Sequence, residues 1–280
     1  MTDTQGSLYA FGLGYSALRL ARRLVAEGWQ VAGTVRSAQK ADALGAEGIS
    51  ADVWPGSPPD IPGDSVWLVS VPPDEAGCPV ARAFGDRAGD TAVIYLSTTG
   101  VYGDLGGNWA FEWTPPAPGN PRGARRWQAE QQWQAAAGRL ASVRLPGIYG
   151  PGRSALDRVR SGRARRIIKP GQVFSRIHVD DIAGGLQALL DRDIPAGVYH
   201  LCDDAPAPPQ DVISHAADLL GAGEPPAVDF DSADLSAMAR SFYSECKRVS
   251  NARTKAALGW RPQYPTYREG LAAILDAETH

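Results

Sequence analysis

A glycine-rich turn near the start of the chain has residue types that can cradle a phosphate group. The sequence there is Gly12-Leu13-Gly14-Tyr15-Ser16-Ala17, between a short apolar segment, Leu8–Phe11, and a predicted helix over residues 18–27. The first glycine permits a tight turn, the second lets backbone N–H groups approach a pyrophosphate, and the alanine keeps the helix close to a sheet. The helix N-terminus adds partial positive charge. We therefore predict a dinucleotide site that includes Gly12, Gly14, Tyr15, Ser16 and Ala17.

The next predicted strand, Gln30–Thr34, ends beside a basic residue. A site for NAD usually carries an acidic residue about 20 residues after the glycines, where it binds the ribose 2′-hydroxyl. No Asp or Glu stands there in this chain, whereas Arg36 and Ser37 could bind a 2′-phosphate through charge-assisted hydrogen bonds. We predict NADP as the cofactor in preference to NAD. A surface arginine in a loop is the alternative interpretation of Arg36.

Composition and charge limit the class of protein. The chain has 280 residues, 44% of them apolar, which suits one large α/β domain or a nucleotide domain with a smaller lobe. Its net charge of −3 argues against nucleic acid as the main partner. Three widely spaced cysteines form no C-x-x-C pair, so we expect no disulfide framework and no metal site. The polar first residues and the absence of a run of about 18 apolar residues favour a cytoplasmic protein with no membrane partner.

Strand and helix signals alternate through the first half, which is typical of a parallel sheet built from βαβ units. Further strands are predicted at residues 49–53, 66–71, 92–97, 142–145 and 198–201, and helices at 80–88, 123–137, 179–190, 209–220 and 267–275. Loops are predicted at 100–121 and 224–234. The fold class is therefore α/β, a Rossmann-type doubly wound sheet. We predict a nucleotide-binding domain over 1–150 and a mixed α/β substrate lobe over 151–280, with about 178–202 returning to the sheet.

Four sequence blocks, in this order, carry a family resemblance. They are Gly12–Ala17, Leu96–Gly103 (LSTTGVYG), Arg144–Gly152 (RLPGIYGPG) and Arg176–Ala183 (RIHVDDIA), and Leu258–Pro262 (LGWRP) follows near the end. With these blocks the chain resembles an extended short-chain dehydrogenase/reductase of the NAD-dependent epimerase/dehydratase type. It is most similar to the atypical YeeZ-like subgroup. The blocks have no place in a methyltransferase that uses a G-x-G turn for adenosylmethionine.

The resemblance implies roles for individual residues. Thr98 matches the hydroxyl that holds a substrate oxygen, although a strand-end threonine also caps turns. Asp52 and Val53 match the pair that contacts adenine. The remaining implied cofactor contacts are Ser70, Val71 and Pro72 along the ribose, Ser97 at the next strand end, and Pro146 and Ile148 against the nicotinamide half. His178 is either a packed histidine or an acid/base.

The chain departs from the family at its catalytic helix. Members commonly carry Tyr-x-x-x-Lys-x-x-x-Glu, in which the lysine lowers the pKa of the tyrosine that transfers a proton. Here Glu130 fits the last position, which places Arg126 at the lysine and Arg122 at the tyrosine. Arg126 could still hold the ribose or a phosphate. Arg122 cannot replace the tyrosine, because arginine does not release its proton near neutral pH.

Other groups could transfer the proton, and each has a structural alternative. Tyr102, four residues after Thr98, is our first candidate, and a packed aromatic is its alternative. Glu112 is a second candidate or a solvated loop carboxylate, and Tyr149 is a third. The arginine-rich stretch 153–169 is either a solvated face or a site for an anionic substrate.

Two functional hypotheses follow. The first is an NADP-dependent oxidoreductase or epimerase-type enzyme that acts on a small substrate, with an anion as one option, and has Thr98 and Tyr102 as catalytic residues. The second is a non-catalytic NADP-binding sensor or scaffold that keeps the fold without the chemistry. A homodimer is one expectation, since members of the family often pair through helices. Trp127 and Trp133 on such a helix could equally pack internally.

Overall fold

A computed structural model describes residues 5–279 and divides the chain into two compact units. Unit 1 comprises the chain up to Thr98, with Ala124–Arg144 and Ile182–Tyr199. Unit 2 comprises Thr99–Gly123, Leu145–Asp181 and the chain from His200 onward. The predicted domain boundary near residue 150 stays a prediction. Each compact unit contains segments from both halves of the chain.

The strands, in chain order, are β1 (Ser7–Phe11), β2 (Gln30–Val35), β3 (Ser50–Val53), β4 (Val66–Val69), β5 (Ala92–Thr98), β6 (Trp109–Ala110), β7 (Arg139–Leu145), β8 (Gly147–Tyr149), β9 (Arg166–Ile168), β10 (Arg176–His178), β11 (Gly197–His200), β12 (Ala227–Asp229) and β13 (Arg248–Val249). The α-helices are α1 (Tyr15–Ala26), α2 (Ala38–Gly45), α3 (Pro79–Phe84), α4 (Pro121–Ala136), α5 (Ala155–Arg160), α6 (Val179–Leu190), α7 (Pro209–Leu219), α8 (Ala237–Tyr243), α9 (Ala252–Leu258) and α10 (Tyr267–Thr279). Short 3₁₀ turns lie at Gly85–Arg87 and Thr99–Tyr102.

The central sheet has the order β3-β2-β1-β4-β5-β7-β11 within residues 5–279. The pairs of β1 with β2 and β4, of β2 with β3 and of β4 with β5 are parallel. Strand order reverses direction at β1, so the crevice above its carboxyl end is where such sheets bind ligands. This architecture confirms the predicted α/β Rossmann-type fold class.

An aromatic cluster beneath the sheet fixes the strands of unit 1. Phe11 contacts Tyr9 and Trp67 edge-on, with ring centroids 5.0 and 5.2 Å apart, and stacks on Phe84 at 5.4 Å. Trp133 of α4 is fully buried and meets Trp67 edge-on at 6.4 Å. Aromatic pairs of this geometry add stability beyond the area they bury. Trp133 therefore packs internally, as one of the two alternatives for that helix had it.

Unit 2 is built from short parallel ribbons and helices. The ribbons pair β8 with β10, β9 with β12, and β6 with β13. Leu156, Val212, Leu271 and neighbouring apolar side chains of α5, α7 and α10 form one of its cores. Two short strands, β6 and β12, lie inside segments predicted as loops. They form because they pair with β13 and β9, and these long-range hydrogen bonds cannot be predicted from the local sequence.

Within residues 5–279, no helix has both the length and the apolar character needed to cross a membrane.

Candidate functional site

The glycine-rich turn joins β1 to α1 and is held by the neighbouring strands. Gly12 has a φ of +87°, in the region that favours glycine. Its N–H donates to Thr34 Oγ1 at 2.8 Å, and its carbonyl accepts from Ser70 Oγ at 2.7 Å. The N–H of Leu13 donates to the Thr34 carbonyl at 2.8 Å. The turn is therefore preorganised by side chains at the ends of β2 and β4.

Gly14 lies at the N-cap of α1, with an ordinary φ of −89° and open space where a side chain would stand. A Cβ built on it would find only the Gly12 carbonyl oxygen within 4 Å, at 3.9 Å. No side chain caps the N-terminus of α1, which begins at Tyr15 and continues through Ser16 and Ala17. An uncapped helix N-terminus beside empty space suits an anion such as a pyrophosphate.

Two basic residues follow the end of β2, and one of them reaches the same turn. Arg36 is exposed, and Ser37 caps α2, with its hydroxyl accepting from the Lys40 N–H at 3.4 Å. Lys40 Nζ donates to the Leu13 carbonyl at 2.6 Å. Sequence reasoning missed Lys40 as a site residue. Its signal was present, since it is one of only four lysines and lies four residues after Arg36.

The predicted adenine and ribose contacts surround the turn in unit 1. Asp52 of β3 accepts a hydrogen bond from the Tyr9 hydroxyl at 3.0 Å. Burial, reinforced by this carboxylate, raises the pKa of Tyr9. Val53, the last residue of the edge strand β3, is 41% exposed. Val71 and Pro72, after β4, are both accessible to solvent.

A buried polar network lies behind the carboxyl end of β5. Ser97 Oγ donates to Glu130 Oε1 at 2.5 Å. Arg144 donates to both carboxylate oxygens of Glu130, from Nε at 3.1 Å and from Nη2 at 2.7 Å. All three side chains are buried. The Glu130 of the family pattern thus anchors β5, α4 and β7 together, and the Ser97 hydroxyl is engaged in that anchor. The cofactor role of Ser97 stays a prediction.

Arg126 extends to the end of the same strand. Its Nη1 donates to the Leu96 carbonyl at 2.7 Å and to the Tyr95 hydroxyl at 3.3 Å. Burial raises the pKa of Tyr95 to about 12, with Arg126 opposing the shift. Thr98, the last residue of β5, is half-buried. Arg126 therefore places positive charge at the strand end that the family resemblance assigns to the cofactor.

Tyr102, the first candidate for proton transfer, is fully buried in unit 2. Its hydroxyl is 2.6 Å from His200 Nε2, and His200 Nδ1 is 2.8 Å from the Ser250 carbonyl. A carbonyl can only accept, so in the neutral imidazole Nδ1 carries the proton and Tyr102 donates to Nε2. The tyrosine is thus packed and hydrogen-bonded, as its structural alternative had it.

Glu112 and Tyr149, the other two candidates, are also buried in unit 2. Glu112 is 4% exposed and accepts from Thr254 Oγ1 at 3.0 Å, so it is not a solvated loop carboxylate. Burial raises the pKa of Tyr149, whose hydroxyl packs against the backbone of α10. A Cβ on Gly270 would approach that hydroxyl to 2.0 Å. All three candidates for proton transfer, Tyr102, Glu112 and Tyr149, are therefore buried within unit 2.

The long segment after Tyr102 is fixed by residues 245–249. Lys247 Nζ is buried and donates to the Gly103 carbonyl at 2.6 Å and to Glu245 Oε2 at 2.5 Å. The Cys246 N–H donates to Asp104 Oδ1 at 2.7 Å, which holds the pKa of that carboxyl below its usual range. The Asn120 amide donates to Glu245 Oε1 at 2.5 Å. These hydrogen bonds hold both ends of the segment in place.

The remaining sequence candidates lie in unit 2 as well. Pro146 and Ile148 are half-buried at the start of the β8–β10 ribbon. His178 is buried edge-on between Tyr149 and Tyr264, at 5.2 and 4.4 Å, and its Nδ1 accepts from the Asp180 N–H. This surrounding matches a packed histidine.

The arginines of the stretch 153–169 have two kinds of surroundings in the structure. Arg160 and Arg166 form ion pairs with Glu278 and Glu224, each at 2.5 Å. Arg158 and Arg163 instead line an open cavity of about 380 Å³ with Asp157. The alternatives of a solvated face and an anion site stay open for these last two arginines.

Comparison with solved structures shows which proteins the chain is similar to. A conserved protein of unknown function from Silicibacter pomeroyi is 52% identical, with a TM-score of 0.91 and coverage of 98% of this chain and 100% of that one. A putative NAD-dependent epimerase/dehydratase from Methylobacillus flagellatus is 27% identical, with a TM-score of 0.69 and coverage of 99% and 100%. Human epimerase family protein SDR39U1, solved with NADPH, shares the fold alone, at 16% identity, a TM-score of 0.72 and coverage of 96% and 99%. No family model matches the chain.

In its fold and its sequence blocks the chain is similar to short-chain dehydrogenase/reductases of the NAD-dependent epimerase/dehydratase type. The chain is similar to protein YeeZ of Escherichia coli K12, at 28% identity over 91% of this chain and 94% of YeeZ. It is also 32% identical to a 3-diazoavenalumate denitrifying reductase from a Streptomyces species. That match spans 46% of this chain and 45% of the reductase, less than half of either.

Proposed function

We propose that the protein is an NADP(H)-dependent oxidoreductase that acts in the direction of reduction. The observation that carries the proposal is the space at Gly14, which the folded chain leaves open beside an uncapped helix N-terminus. This arrangement fits a dinucleotide pyrophosphate. A bound nicotinamide supplies a hydride to an electrophilic substrate or accepts one from an alcohol.

Preference for NADP over NAD rests on two cations and a hydroxyl. Arg36 is exposed at the end of β2, and the Lys40 ammonium is tethered to the Leu13 carbonyl of the glycine turn. The Ser37 hydroxyl accepts from the backbone and keeps its own proton to donate. A 2′-phosphate at the end of β2 would meet all three groups, whereas an unmodified ribose would leave both charges uncompensated.

The direction of reaction follows from the residues on α4. Oxidation of an alcohol requires a base that removes the hydroxyl proton, as epimerase and dehydratase chemistry does at its first step. Arg122 and Arg126 stay protonated near neutral pH and cannot act as that base. The Tyr102 hydroxyl is committed to His200 in the interior. A reduction in which water supplies the proton, or in which the product needs none, suits these residues better. The Streptomyces relative is a reductase by name, whereas the Methylobacillus protein is described as an epimerase/dehydratase.

A non-catalytic NADP-binding protein is the second candidate. The observation in its favour is that Tyr102, Glu112 and Tyr149 are all buried, so the described chain keeps a nucleotide site while committing each alternative proton donor to packing.

Cofactor binding tests the first part of the proposal. We expect calorimetry to give NADP⁺ an affinity at least about tenfold above that of NAD⁺, the scale of one charge-assisted hydrogen bond. Arg36→Asp should erase or reverse the preference, and Lys40→Gln should reduce it. The matched control is Arg22→Gln, because Arg22 of α1 is exposed and forms an ion pair with Glu47. Equal affinities in the native protein would refute the assignment to NADP.

Turnover separates the two candidates. The pure protein should be incubated with NADPH and a panel of aldehydes, ketones, imines and diazo compounds, with loss of nicotinamide absorbance and product formation as readouts. Reduction of any member supports the oxidoreductase. Tight NADPH binding with no turnover across the panel favours the sensor or scaffold.

A further inference from the structure

Arg158 and Arg163 come together where the chain leaves α5 in unit 2. The loop folds back on the end of the helix, because the N–H groups of Arg163 and Ala164 donate to the Arg158 carbonyl at 3.2 and 3.1 Å. The Ser161 hydroxyl donates to the same carbonyl at 3.0 Å. Gly162, in this loop, has a φ of +66°, which permits the tight reversal. Backbone donors therefore satisfy the end of the helix, and neither guanidinium is needed to cap it.

Packing and strand pairing hold this loop at both ends. On one side, Leu156 of α5 is fully buried in the core that α5 forms with α7 and α10. On the other side, Ala164 is 5% exposed, and the Arg166 N–H donates to the Pro226 carbonyl at 2.9 Å, where β9 begins to pair with β12. The two arginines therefore extend from a fixed backbone, which lowers the entropy cost of binding a ligand.

The guanidinium groups of Arg158 and Arg163 form no ion pair within residues 5–279. Both side chains are exposed, and Arg163 Nε donates to the neutral Ser161 hydroxyl at 3.2 Å. The neighbouring Arg160, by contrast, is paired with Glu278 at 2.5 Å. The two unpaired arginines line a cavity of about 380 Å³, a volume within the range of small-molecule pockets.

Asp157, which also lines the cavity, adds a hydrogen-bond acceptor. Its Oδ2 accepts from the Ser154 N–H and from the Ser154 hydroxyl, each at 2.7 Å, as part of the capping box of α5. Its Oδ1 accepts no hydrogen bond from the part of the chain that the structure describes. Two guanidinium groups and one carboxylate leave the cavity positively charged, with donors for an anion and an acceptor for a hydroxyl group.

We propose that this cavity binds a small phosphate monoester that also carries a hydroxyl group. Arg158 and Arg163 bind the phosphate, and Asp157 accepts from the hydroxyl. A guanidinium binds oxyanions through two parallel N–H donors, so one arginine already occupies both oxygens of a carboxylate. A phosphate monoester has three acceptor oxygens and nearly two negative charges at neutral pH, so it can bind both arginines. This site goes beyond the proposed oxidoreductase activity and shares no residue with the glycine turn, which belongs to unit 1.

Calorimetry with three probes tests the site. Glycerol 3-phosphate, glycerate and glycerol all carry hydroxyl groups and differ in the anionic group, so they isolate the contribution of the phosphate. We expect glycerol 3-phosphate to bind at least about tenfold more tightly than glycerate, and glycerol to show no binding. Arg158→Gln and Arg163→Gln should each lower the affinity for glycerol 3-phosphate by about tenfold or more. Arg160→Gln is the matched control, since this arginine of the same helix is paired with Glu278, and it should leave the affinity unchanged.

Methyl phosphate tests the acceptor role of Asp157. Because it has no hydroxyl group to donate, it should bind several-fold more weakly than glycerol 3-phosphate, on the scale of one lost hydrogen bond of about 1 kcal/mol. Equal affinities of the two phosphates would overturn the assignment of a hydroxyl-bearing ligand.

Three further outcomes would overturn the site itself. The first is native protein that binds no glycerol 3-phosphate, or that binds glycerate as tightly. The second is a loss of binding in Arg160→Gln as large as in Arg158→Gln. The third is binding that is abolished by Gly14→Val and kept in Arg158→Gln, which would place the phosphate at the glycine turn. Circular dichroism of each variant establishes that it is folded.

Discussion

Gly14 is a glycine that the folded chain does not need for its own conformation. Its φ of −89° is open to any residue, and a Cβ would meet no atom closer than 3.9 Å. Gly12 differs, because its φ of +87° and its contact with Val71 explain the glycine from within the protein. The protein's own conformation therefore requires a glycine at Gly12 but not at Gly14, which is what the proposed pyrophosphate site predicts.

We expect Gly14→Val to abolish NADP⁺ binding while leaving the fold intact. A valine side chain would occupy the space beside the α1 N-terminus, and its cost to the protein is limited to about 1 kcal/mol for a poor N-cap residue. Calorimetry with NADP⁺ and a thermal melt of the same sample provide the two measurements. Undiminished binding by the folded variant would mean that this space is not the pyrophosphate site.

Arg126 permits a second test at a single residue. Because it places positive charge at the end of β5, we expect Arg126→Ala to weaken NADP⁺ binding by about 1–2 kcal/mol, the scale of one charge-assisted contact. Arg125→Ala is the control, since its partner is the exposed Glu75. If Arg126→Ala binds NADP⁺ like the parent protein, the residue serves only to anchor Tyr95 and Leu96.

At the scale of elements, the Glu130–Arg144 pair connects α4 to β7, and Ser97 adds β5. Both charged side chains are at most 4% exposed, so solvent does not screen the interaction. Two hydrogen bonds from one guanidinium fix the angle of α4 against the sheet as well as its distance. The pair thereby positions Arg126, one turn earlier on the same helix.

We expect Arg144→Met to lower the free energy of unfolding by about 3–5 kcal/mol, because it leaves the Glu130 carboxylate buried without its cation. Urea denaturation measures the change. The double variant Arg144→Met with Glu130→Leu should recover most of the loss, since apolar residues of similar volume can replace a buried ion pair. A double variant as unstable as the single one would show that packing, and not the orphaned charge, dominates.

For the whole molecule, Asp203 couples stability to pH. The side chain is 1% exposed, and burial raises its pKa to about 8, while Arg176 opposes the shift and Asp204 and Asp181 add to it. A carboxyl whose folded pKa is raised binds its proton in the native state and loses it in the unfolded chain. Its contribution to stability is therefore complete in acid and declines as pH rises towards about 8.

We expect the free energy of unfolding to fall with pH between about 5 and about 8, with a slope of at most about 1.4 kcal/mol per pH unit from this group. Asp203→Asn should flatten the slope, because an amide does not titrate in this range. The local structure should be kept, because the amide oxygen can still accept from the Ala205 N–H as Oδ1 does now. Asp193→Asn is the control, since pairing with Arg139 lowers the pKa of that exposed carboxyl. A slope unchanged by Asp203→Asn would show that other groups set the pH dependence.

Features that depend on neighbouring residues could be predicted from the amino-acid sequence. The turn from Gly12 to Ala17, the β1, β4 and β5 strands, and the bounds of α4 and α6 all lie within a few residues of their predicted places. Apolar periodicity, glycines and prolines act locally, so these elements can be predicted from the sequence. The prediction that Arg122 and Arg126 stand at the Tyr and Lys positions of the family pattern likewise comes from the sequence.

Contacts between side chains that are far apart in the chain depend on the tertiary fold. Tyr102 and His200 are 98 residues apart, Lys247 and Gly103 are 144 apart, and no local pattern indicates either contact. The contact of the Lys40 ammonium with the glycine turn and the burial of Glu112 both depend on tertiary packing. Burial and partner choice depend on how the packed elements converge, so the chemistry open to each group was settled by the fold.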